Sequence, residues 1–227
     1  MKPFDIAAII NDREYMKFVR PLRSRGPNQV GGLRRRGILG MLWRAWQESG
    51  LPSITGVEVG VKHGSLSMQL LNALPCLSKL VMVDPWREYP QDHPDRAKYG
   101  YASRDSGSWE MMYRRARLVV APFAGRYEIR RTTSLEAAAD CMARGERHFF
   151  AYIDAEHTRE AVAADCRAWW DAVTPGGCLM GDDYYHKNHD RRPSGEQVSA
   201  GIEDFAAEVG LPIVSLHRNF AIQKVLG

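Results

Sequence analysis

Three aspartates near the ends of two predicted strands carry the clearest chemical signal in the sequence. Asp154 directly follows the apolar run 149–153, and Asp182 and Asp183 come shortly after a second apolar run at 178–180. Both runs have the composition of buried parallel strands. Because the carboxyl ends of parallel strands meet at one edge of a sheet, we expect the three carboxylates to lie together where ligands bind in open α/β sheets.

This predicted cluster of acidic side chains points to a metal ion. Three carboxylates at one sheet edge repel one another unless a cation lies between them. Ligands made of oxygen alone favour a hard ion such as Mg²⁺ or Mn²⁺ over Zn²⁺. The sequence therefore predicts that Asp154, Asp182 and Asp183 bind a divalent metal ion. A solvated turn is the alternative for the Asp182-Asp183 pair, since paired aspartates are common in turns.

The segment between the two strands predicts a helix followed by a turn. Thr158 suits the N-cap of this helix, and apolar residues recur at helical spacing as far as Val173. The tripeptide 175–177, Pro-Gly-Gly, is expected to end the helix and turn the chain before the second strand.

A glycine turn near residue 60 predicts a second binding region. Residues 54–60 form the first strand, and Gly60 and Gly64 let the backbone approach a ligand closely. The turn is not GxGxxG, because Lys62 occupies the second glycine position, which disfavours a pyrophosphate site. Asp84 ends the next strand about 20 residues further on and is placed to bind ribose hydroxyls. A capping carboxylate is the alternative for this residue.

The remaining patterns complete an α/β domain whose sheet has seven strands. Further strands are predicted at 79–83, 127–131, 213–216 and 221–225, and helices at 65–74, 109–120, 135–143 and 196–209. The last strand follows a short turn at Arg218-Asn219, so it should pair antiparallel. Two long connections remain, 85–108 and 186–195. The first is interpreted as a lid over the substrate and the second as a polar loop beside the metal site.

The first 50 residues are predicted to form a helical and loop cap, separate from a binding domain at 51–227. Helices are expected at 6–18 and 37–47, with a basic loop between them. The arginines of this loop are Arg20, Arg23, Arg25, Arg34, Arg35 and Arg36. A solvated surface and a site for phosphate or carboxylate groups explain this loop equally well.

Composition narrows the class of protein. The chain has 227 residues, 44% of them apolar, and a formal net charge of +4. It has no apolar run of membrane-spanning length and no signal-peptide pattern, so a cytoplasmic protein is expected. The four widely spaced cysteines are predicted to be buried free thiols. The mild positive charge permits an anionic substrate but does not require nucleic acid.

Several motifs together resemble a class I S-adenosylmethionine-dependent methyltransferase over roughly residues 54–227. They are EVGVKHG at 58–64, VDPW at 83–86, YIDAEH at 152–157 and PGG at 175–177. The pair IDAEH and GDDYY is similar to metal-dependent small-molecule O-methyltransferases, which include catechol enzymes and enzymes that methylate antibiotic sugars. The resemblance implies a Rossmann-like sheet of seven mostly parallel strands with an antiparallel last strand, helices on both faces and an N-terminal helical extension.

The resemblance also assigns roles to individual residues. It places Glu58 and Gly60 at the methionine end of the cofactor, Asp84 at the ribose and Trp86 near the adenine. The full cofactor-binding set is Glu58, Gly60, Gly64, Ser65, Asp84, Trp86, Ser134 and Asp154. His157 is expected to be the general base, with Glu156 as the alternative, and an exposed histidine at a helix start is the non-catalytic interpretation of His157.

The expected function is S-adenosylmethionine-dependent, Mg²⁺- or Mn²⁺-dependent methylation of a hydroxyl on a small molecule such as a sugar or another diol. A nucleic-acid or N-directed methyltransferase that uses the arginine-rich N-terminal segment is a second hypothesis. Against it, amino-directed DNA enzymes resemble one another in a proline-proline-aromatic motif after the fourth strand, where this chain has Ala-Glu-His. A non-catalytic protein that binds the cofactor is a third. The sequence leaves the acceptor and self-association into a homo-oligomer open.

Overall fold

Seven strands form one sheet at the centre of the computed structural model, which describes residues 29–93, 106–184, 193–216 and 218–225. The strands are β1 Ile54–Val59, β2 Leu77–Val83, β3 Tyr127–Arg130, β4 His148–Ile153, β5 Val173–Gly181, β6 Val214–Leu216 and β7 Asn219–Gln223. The helices of the described residues are α1 Gln29–Ser49, α2 Ser65–Ala73, α3 Ser106–Val120, α4 Ser134–Ala143, α5 Arg159–Trp170 and α6 Pro193–Val209, with a 3-10 turn at Ala121–Phe123.

The order of the strands across the sheet is β3-β2-β1-β4-β5-β7-β6. Strands β1 to β5 are parallel to one another, and β7 is antiparallel to both β5 and β6. The predicted sheet, with its antiparallel last strand, is confirmed. The chain proceeds from β1 towards β3 on one side and from β4 onward on the other, so β1 and β4 flank the switch point at which such sheets bind ligands.

Alternating side chains of the strands supply two separate apolar layers, because successive residues of a strand point to opposite faces. On one face, residues such as Leu80, Met82 and Phe150 pack against α1, α2 and α3. On the other face, residues such as Val81 and Ile153 pack against α4, α5 and α6. The helices therefore cover both faces, as expected.

Helix α1 corrects the prediction of a basic loop. The chain is helical from Gln29, so Arg34, Arg35 and Arg36 lie within a helix rather than in a loop. Arginine is a good helix former, and the buried side chains of Ile38 and Leu42 hold the later turns of α1 against the core. The predicted helix at 6–18, Arg20, Arg23 and Arg25 lie outside the described residues. The division of the chain at residue 50 stays a prediction.

The Pro-Gly-Gly tripeptide does not end the helix, so this prediction was wrong. Helix α5 ends at Trp170, and Val173 already begins β5. His148 lies opposite Val173, whereas Phe150 lies opposite Cys178, so residues 174–177 form a bulge within the strand. The bulge is stabilised from the side, because Gly176 N–H donates to the Lys224 carbonyl at 2.8 Å and Lys224 N–H donates to the Gly177 carbonyl at 2.9 Å. Turn-forming residues are also those that a bulge accommodates.

Two helices begin earlier than predicted and shorten the predicted loops. Helix α3 starts at Ser106, inside the segment predicted as a lid, whose residues 94–105 lie outside the described part of the chain. Helix α6 starts at Pro193, and 186–192 of the predicted polar loop are likewise outside it. Proline suits the first turn of a helix, where a backbone N–H has no intrahelical partner. The predicted N-cap of α5 is confirmed, since Ala161 N–H donates to Thr158 Oγ1 at 3.2 Å.

Two expectations drawn from composition can be compared with the structure. Cys76, Cys141, Cys166 and Cys178 are all buried and unpaired with one another, as predicted. Among the described helices, none combines the length and apolarity needed to cross a membrane.

The bulge in β5 yields a test of the fold. A methyl group at position 177 would lie 2.2 Å from the Phe149 carbonyl oxygen, which belongs to the backbone and cannot move aside alone. We expect Gly177→Ala to lower the free energy of unfolding by about 3 kcal/mol in urea denaturation. The control is Gly145→Ala, where φ is 65° but no atom lies within 4 Å of the new methyl group, and a loss of about 1 kcal/mol is expected. Equal losses in the two variants would contradict the close contact.

Candidate active site

A cavity of about 770 Å³ opens at the carboxyl edge of the sheet. Residues at the ends of four parallel strands line it, namely Glu58 of β1, Asp84 after β2, Asp154 after β4 and Asp182 after β5. The predicted glycine turn and the predicted acidic residues therefore face the same space. This shared cavity places a region suited to a nucleoside beside a group of carboxylates.

Gly60 is required where the ends of β1 and β4 meet. It has φ of 90°, and a methyl group on its Cα would lie 1.9 Å from the Asp154 carbonyl oxygen. No other residue type fits both the positive φ and this contact. Gly64 also has a positive φ, but its Cα faces Ala116 of α3, and it does not line the cavity. Ser65, the first residue of α2, does line the cavity.

Asp84 shapes the turn around it as well as lining the cavity. Its two carboxylate oxygens accept hydrogen bonds from Lys62 N–H at 2.8 Å and from Trp86 N–H at 2.7 Å. Burial raises the pKa of the Asp84 carboxyl, and these two backbone donors act in the opposite direction. The two backbone hydrogen bonds are those expected of a capping carboxylate. The position at the cavity wall is the one expected of a ligand-binding residue.

Trp86 departs from the position expected for an adenine-binding residue. Its side chain is 1% exposed, lies 5.0 Å from the Tyr113 ring between centroids, and donates from Nε1 to the Lys62 carbonyl at 2.8 Å. It does not line the cavity. The indole instead braces the turn after β1 from behind, because its N–H can bond the buried carbonyl of that turn.

Glu58 is a buried carboxylate at the wall of the cavity. It is 2% exposed, and Ser67 Oγ donates a hydrogen bond of 2.5 Å to its Oε2. A carboxylate removed from water is costly unless it has donors or a cation nearby. The position is therefore suited to a positively charged group of a ligand.

Two aspartates and a histidine form the acidic part of the cavity. Ligand atoms of Asp154, His157 and Asp183 all lie within 4.8 Å of one another. His157 Nε2 is 3.3 Å from Asp183 Oδ2. Asp182 is not part of this group, and its Oδ1 accepts a hydrogen bond from Asp183 N–H at 2.7 Å. This group contains the imidazole of His157 in place of Asp182, which lines the same cavity, and metal binding by the three aspartates stays a prediction.

Arg218 was not predicted as a site residue, although the turn that carries it was. It follows β6 and lines the cavity, and its guanidinium forms an ion pair with Asp183 Oδ1. Its carbonyl accepts from Tyr184 N–H at 2.9 Å, which ties the hairpin to the end of β5. Asp183 itself has φ of 59°. One oxygen of this carboxylate therefore faces a guanidinium, and the other faces His157.

Glu156, the alternative base, has a partner of its own. Its Oε2 is 3.1 Å from His93 Nε2, and the His93 ring packs on Tyr89 at 4.5 Å between centroids. The segment after β2 and the loop after β4 are thereby connected across the cavity. No sequence motif marks His93, because the contact joins residues 63 positions apart.

Asp165 is a buried acid that sequence patterns place only in a helix. It is 5% exposed and lines the cavity between α4 and α5. Burial raises the pKa of the Asp165 carboxyl to about 7, against a hydrogen bond from Ser134 that lowers it. Ser134 Oγ in turn accepts from Trp169 Nε1 at 3.0 Å. Ser134, predicted to bind the cofactor, therefore lies at the cavity and orients this acid.

The strand order and the cavity at the sheet edge define a Rossmann-like ligand-binding domain of the kind that holds nucleosides. Residues 57–184, more than half of the chain, match the family described as a methyltransferase domain. The chain belongs to this family. The predicted class of enzyme is confirmed at that level.

Solved structures show the same fold at low sequence identity. The calicheamicin methyltransferase CalS11 is 15% identical, with 98% of each chain covered and a TM-score of 0.59. An O-methyltransferase from Bacillus cereus, in complex with S-adenosylhomocysteine, is 16% identical over 99% of this chain and 93% of that one, with a TM-score of 0.57. TomG from Streptomyces achromogenes, an O-methyltransferase in complex with S-adenosylmethionine, is 12% identical over 100% and 92%, with a TM-score of 0.54. A sequence search of curated proteins finds no match.

The raised pKa of Asp165 predicts how stability depends on pH. Because the folded-state pKa of about 7 lies above the ordinary value of 3.8, the stabilising effect of the protonated form is complete at low pH and is lost as the pH rises through 7. Asp165→Asn cannot ionise, so it should gain stability relative to the unmodified protein between pH 4 and pH 8. We expect a relative gain on the order of 3 kcal/mol in urea denaturation at a series of pH values. If the free energy of unfolding of the two proteins depended on pH in the same way, the raised pKa of Asp165 would be contradicted.

Proposed function

We propose that this protein transfers the methyl group of S-adenosylmethionine to a hydroxyl of a small molecule such as a sugar or another diol, assisted by a divalent metal ion. The observation that carries the proposal is the single cavity in which the glycine turn and Asp84 face Asp154, His157 and Asp183. Membership of the methyltransferase family supports the class of reaction. The solved relatives described as O-methyltransferases, one with S-adenosylmethionine and one with S-adenosylhomocysteine, support oxygen as the acceptor atom.

The residues around the cavity fit the cofactor. Glu58 offers a buried carboxylate to the cationic amino group, and Asp84 offers carboxylate oxygens to the ribose hydroxyls. Gly60 lets the backbone come close to the ligand between them. When bound, the sulfonium supplies an electrophilic methyl carbon and leaves as a thioether.

The acidic cluster fits a divalent metal ion, with carboxylates of Asp154 and Asp183 close enough to share one. Arg218 on Asp183 Oδ1 orients that carboxylate so that Oδ2 faces the cluster, as outer contacts do for metal ligands. Asp182 supports the same turn through the Asp183 N–H. A bound ion favours loss of the acceptor's hydroxyl proton and fixes the position of its oxygen.

His157 is the proposed general base. A carboxylate beside an imidazole orients the ring, and Asp183 Oδ2 lies 3.3 Å from His157 Nε2. The imidazole of His157 would accept the proton that the acceptor hydroxyl must lose. Glu156 is the weaker candidate, because His93 engages its carboxylate.

Removal of a carboxylate from the cluster, or of Asp182 from the turn beside it, should abolish the reaction. Asp154→Ala or Asp182→Ala is expected to lower methyl transfer at least about 100-fold while circular dichroism stays unchanged, because the ion is lost or its ligands are displaced. Transfer of labelled methyl from S-adenosylmethionine to catechol and to a panel of monosaccharides measures this, with and without EDTA and added Mn²⁺. The matched control is Glu160→Ala, an exposed acid in the first turn of α5. Full activity of Asp154→Ala, or activity indifferent to EDTA, would refute the metal's role.

The role of His157 is tested by separating turnover from binding. His157→Ala should lower kcat about 100-fold or more and leave the affinity for S-adenosylhomocysteine unchanged, since the base contacts the acceptor. Calorimetric titration with Mn²⁺ distinguishes the second possible role of this imidazole. If His157→Ala binds Mn²⁺ with unchanged affinity, the role of His157 as general base is supported. A tenfold weaker affinity identifies His157 as a metal ligand instead. Glu156→Gln serves as the comparison for the alternative base.

A further inference from the structure

Three side chains that commonly bind metal ions lie together at the edge of the sheet opposite the cavity. Cys141 belongs to the last turn of α4, Glu146 to the turn that follows, and His148 begins β4. Cys141 and His148 are buried, and the Glu146 side chain is 25% exposed. Ligand atoms of all three lie within 4.8 Å of one another. Because β4 runs from this group towards Asp154, the group is separate from the candidate active site.

The distances within this group are close to those between ligands of a single ion. Cys141 Sγ is 3.4 Å from Glu146 Oε2 and 3.7 Å from His148 Nε2. The third distance, from His148 Nε2 to Glu146 Oε2, is 3.8 Å. Bonds of about 2.0–2.3 Å at tetrahedral angles separate neighbouring zinc ligands by roughly 3.3–3.7 Å. An ion near the centre of this triangle would therefore lie roughly 2 Å from each of the three atoms.

Hydrogen bonding explains little of the position of the His148 imidazole. Its Nδ1 is buried without a hydrogen-bond partner among the described residues, and its Nε2 is too far from Glu146 Oε2 for a hydrogen bond. An ion is one of the partners that accounts for a buried polar group of this kind. Burial lowers the pKa of the His148 imidazole to about 4, so the ring is neutral near pH 7 and has a lone pair to offer.

Arg130 contacts both anionic ligands from outside the triangle. Its Nη1 is 3.0 Å from Cys141 Sγ, and a donor at this place favours the thiolate, although burial raises the pKa of the Cys141 thiol to about 11. Its Nη2 donates to Glu146 Oε1 at 2.9 Å, which orients the carboxylate with Oε2 towards the other two ligands. Its Nε donates to Glu128 at 2.7 Å, so the guanidinium also has a carboxylate partner that an ion would not bind.

We propose that Cys141, Glu146 and His148 bind Zn²⁺ and thereby fasten the end of α4 to the start of β4. A set with a soft sulfur ligand favours zinc over magnesium. Binding releases the thiol proton to water, and the thiolate and the carboxylate then neutralise the charge of the ion. The partly exposed side of Glu146 provides the entry path, and a water molecule would complete the four ligands.

The test uses Co²⁺ in place of Zn²⁺, because a cobalt–thiolate bond absorbs in the near ultraviolet and an ion bound by oxygen and nitrogen alone does not. Protein treated with EDTA should gain this absorption on titration with Co²⁺ and lose it when Zn²⁺ is added. Cys141→Ser should abolish the absorption, and His148→Gln should weaken Co²⁺ binding at least about tenfold. Cys76→Ser, the same exchange at a buried cysteine outside the group, should keep it, as should Asp154→Ala.

Thermal unfolding gives a second measurement, in which each variant is compared with itself with and without Zn²⁺. In Asp154→Ala, whose active-site cluster lacks a ligand, Zn²⁺ at 100 times its dissociation constant should raise Tm by about 5 °C. Addition of Cys141→Ser or His148→Gln should remove this rise, whatever each substitution does to stability by itself. Glu146→Gln changes the most exposed of the three ligands and should weaken Co²⁺ binding at least about tenfold even where the buried substitutions prevent folding.

Three results would each overturn the inference. They are no thiolate absorption in the unmodified protein with Co²⁺, undiminished absorption in Cys141→Ser, and unchanged Co²⁺ affinity in His148→Gln or Glu146→Gln. None of them bears on the methyl transfer proposed above, since the two groups of ligands lie at opposite edges of the sheet.

Discussion

The close approach of β1 and β4 at their carboxyl ends is the constraint on which the site depends. Gly60 meets the Asp154 carbonyl so closely that a single methyl group cannot be inserted between them. The two strands lie on either side of the switch point of the sheet, so this contact joins the glycine turn to the acidic cluster. Both regions line the same cavity.

Electrostatic pairing organises the acidic end of this cavity. Asp183 has a guanidinium on one oxygen and an imidazole near the other, and Glu156 is paired with His93. Each pair joins segments that are distant along the chain, so the charges also connect the loops around the cavity. Carboxylates grouped in this way keep defined orientations even though they repel one another.

Much of the fold could be predicted from local sequence patterns, and the features that could not be predicted have physical causes. The strands were predictable because buried parallel strands are short apolar runs, and Thr158 was recognisable as an N-cap by its residue type. The prediction that the Pro-Gly-Gly tripeptide ends a helix was wrong. Residue types that form turns do not reveal that the Lys224 backbone hydrogen-bonds to the bulge and keeps it in the sheet. The packing of Trp86 behind the turn could not be predicted, because its position in the motif says nothing about which side of the turn its indole packs on.

The sequence by itself determined the order of strands and helices, the glycine turn, and which acids stand at strand ends, because these follow from residue type and spacing along the chain. Only the tertiary structure decided that His157 joins Asp154 and Asp183 while Asp182 stays outside the group, and that Arg218 reaches the same cluster. It also decided that Asp165 faces the cavity. Those contacts depend on how separate elements pack, and no local pattern encodes the distance between side chains on different elements.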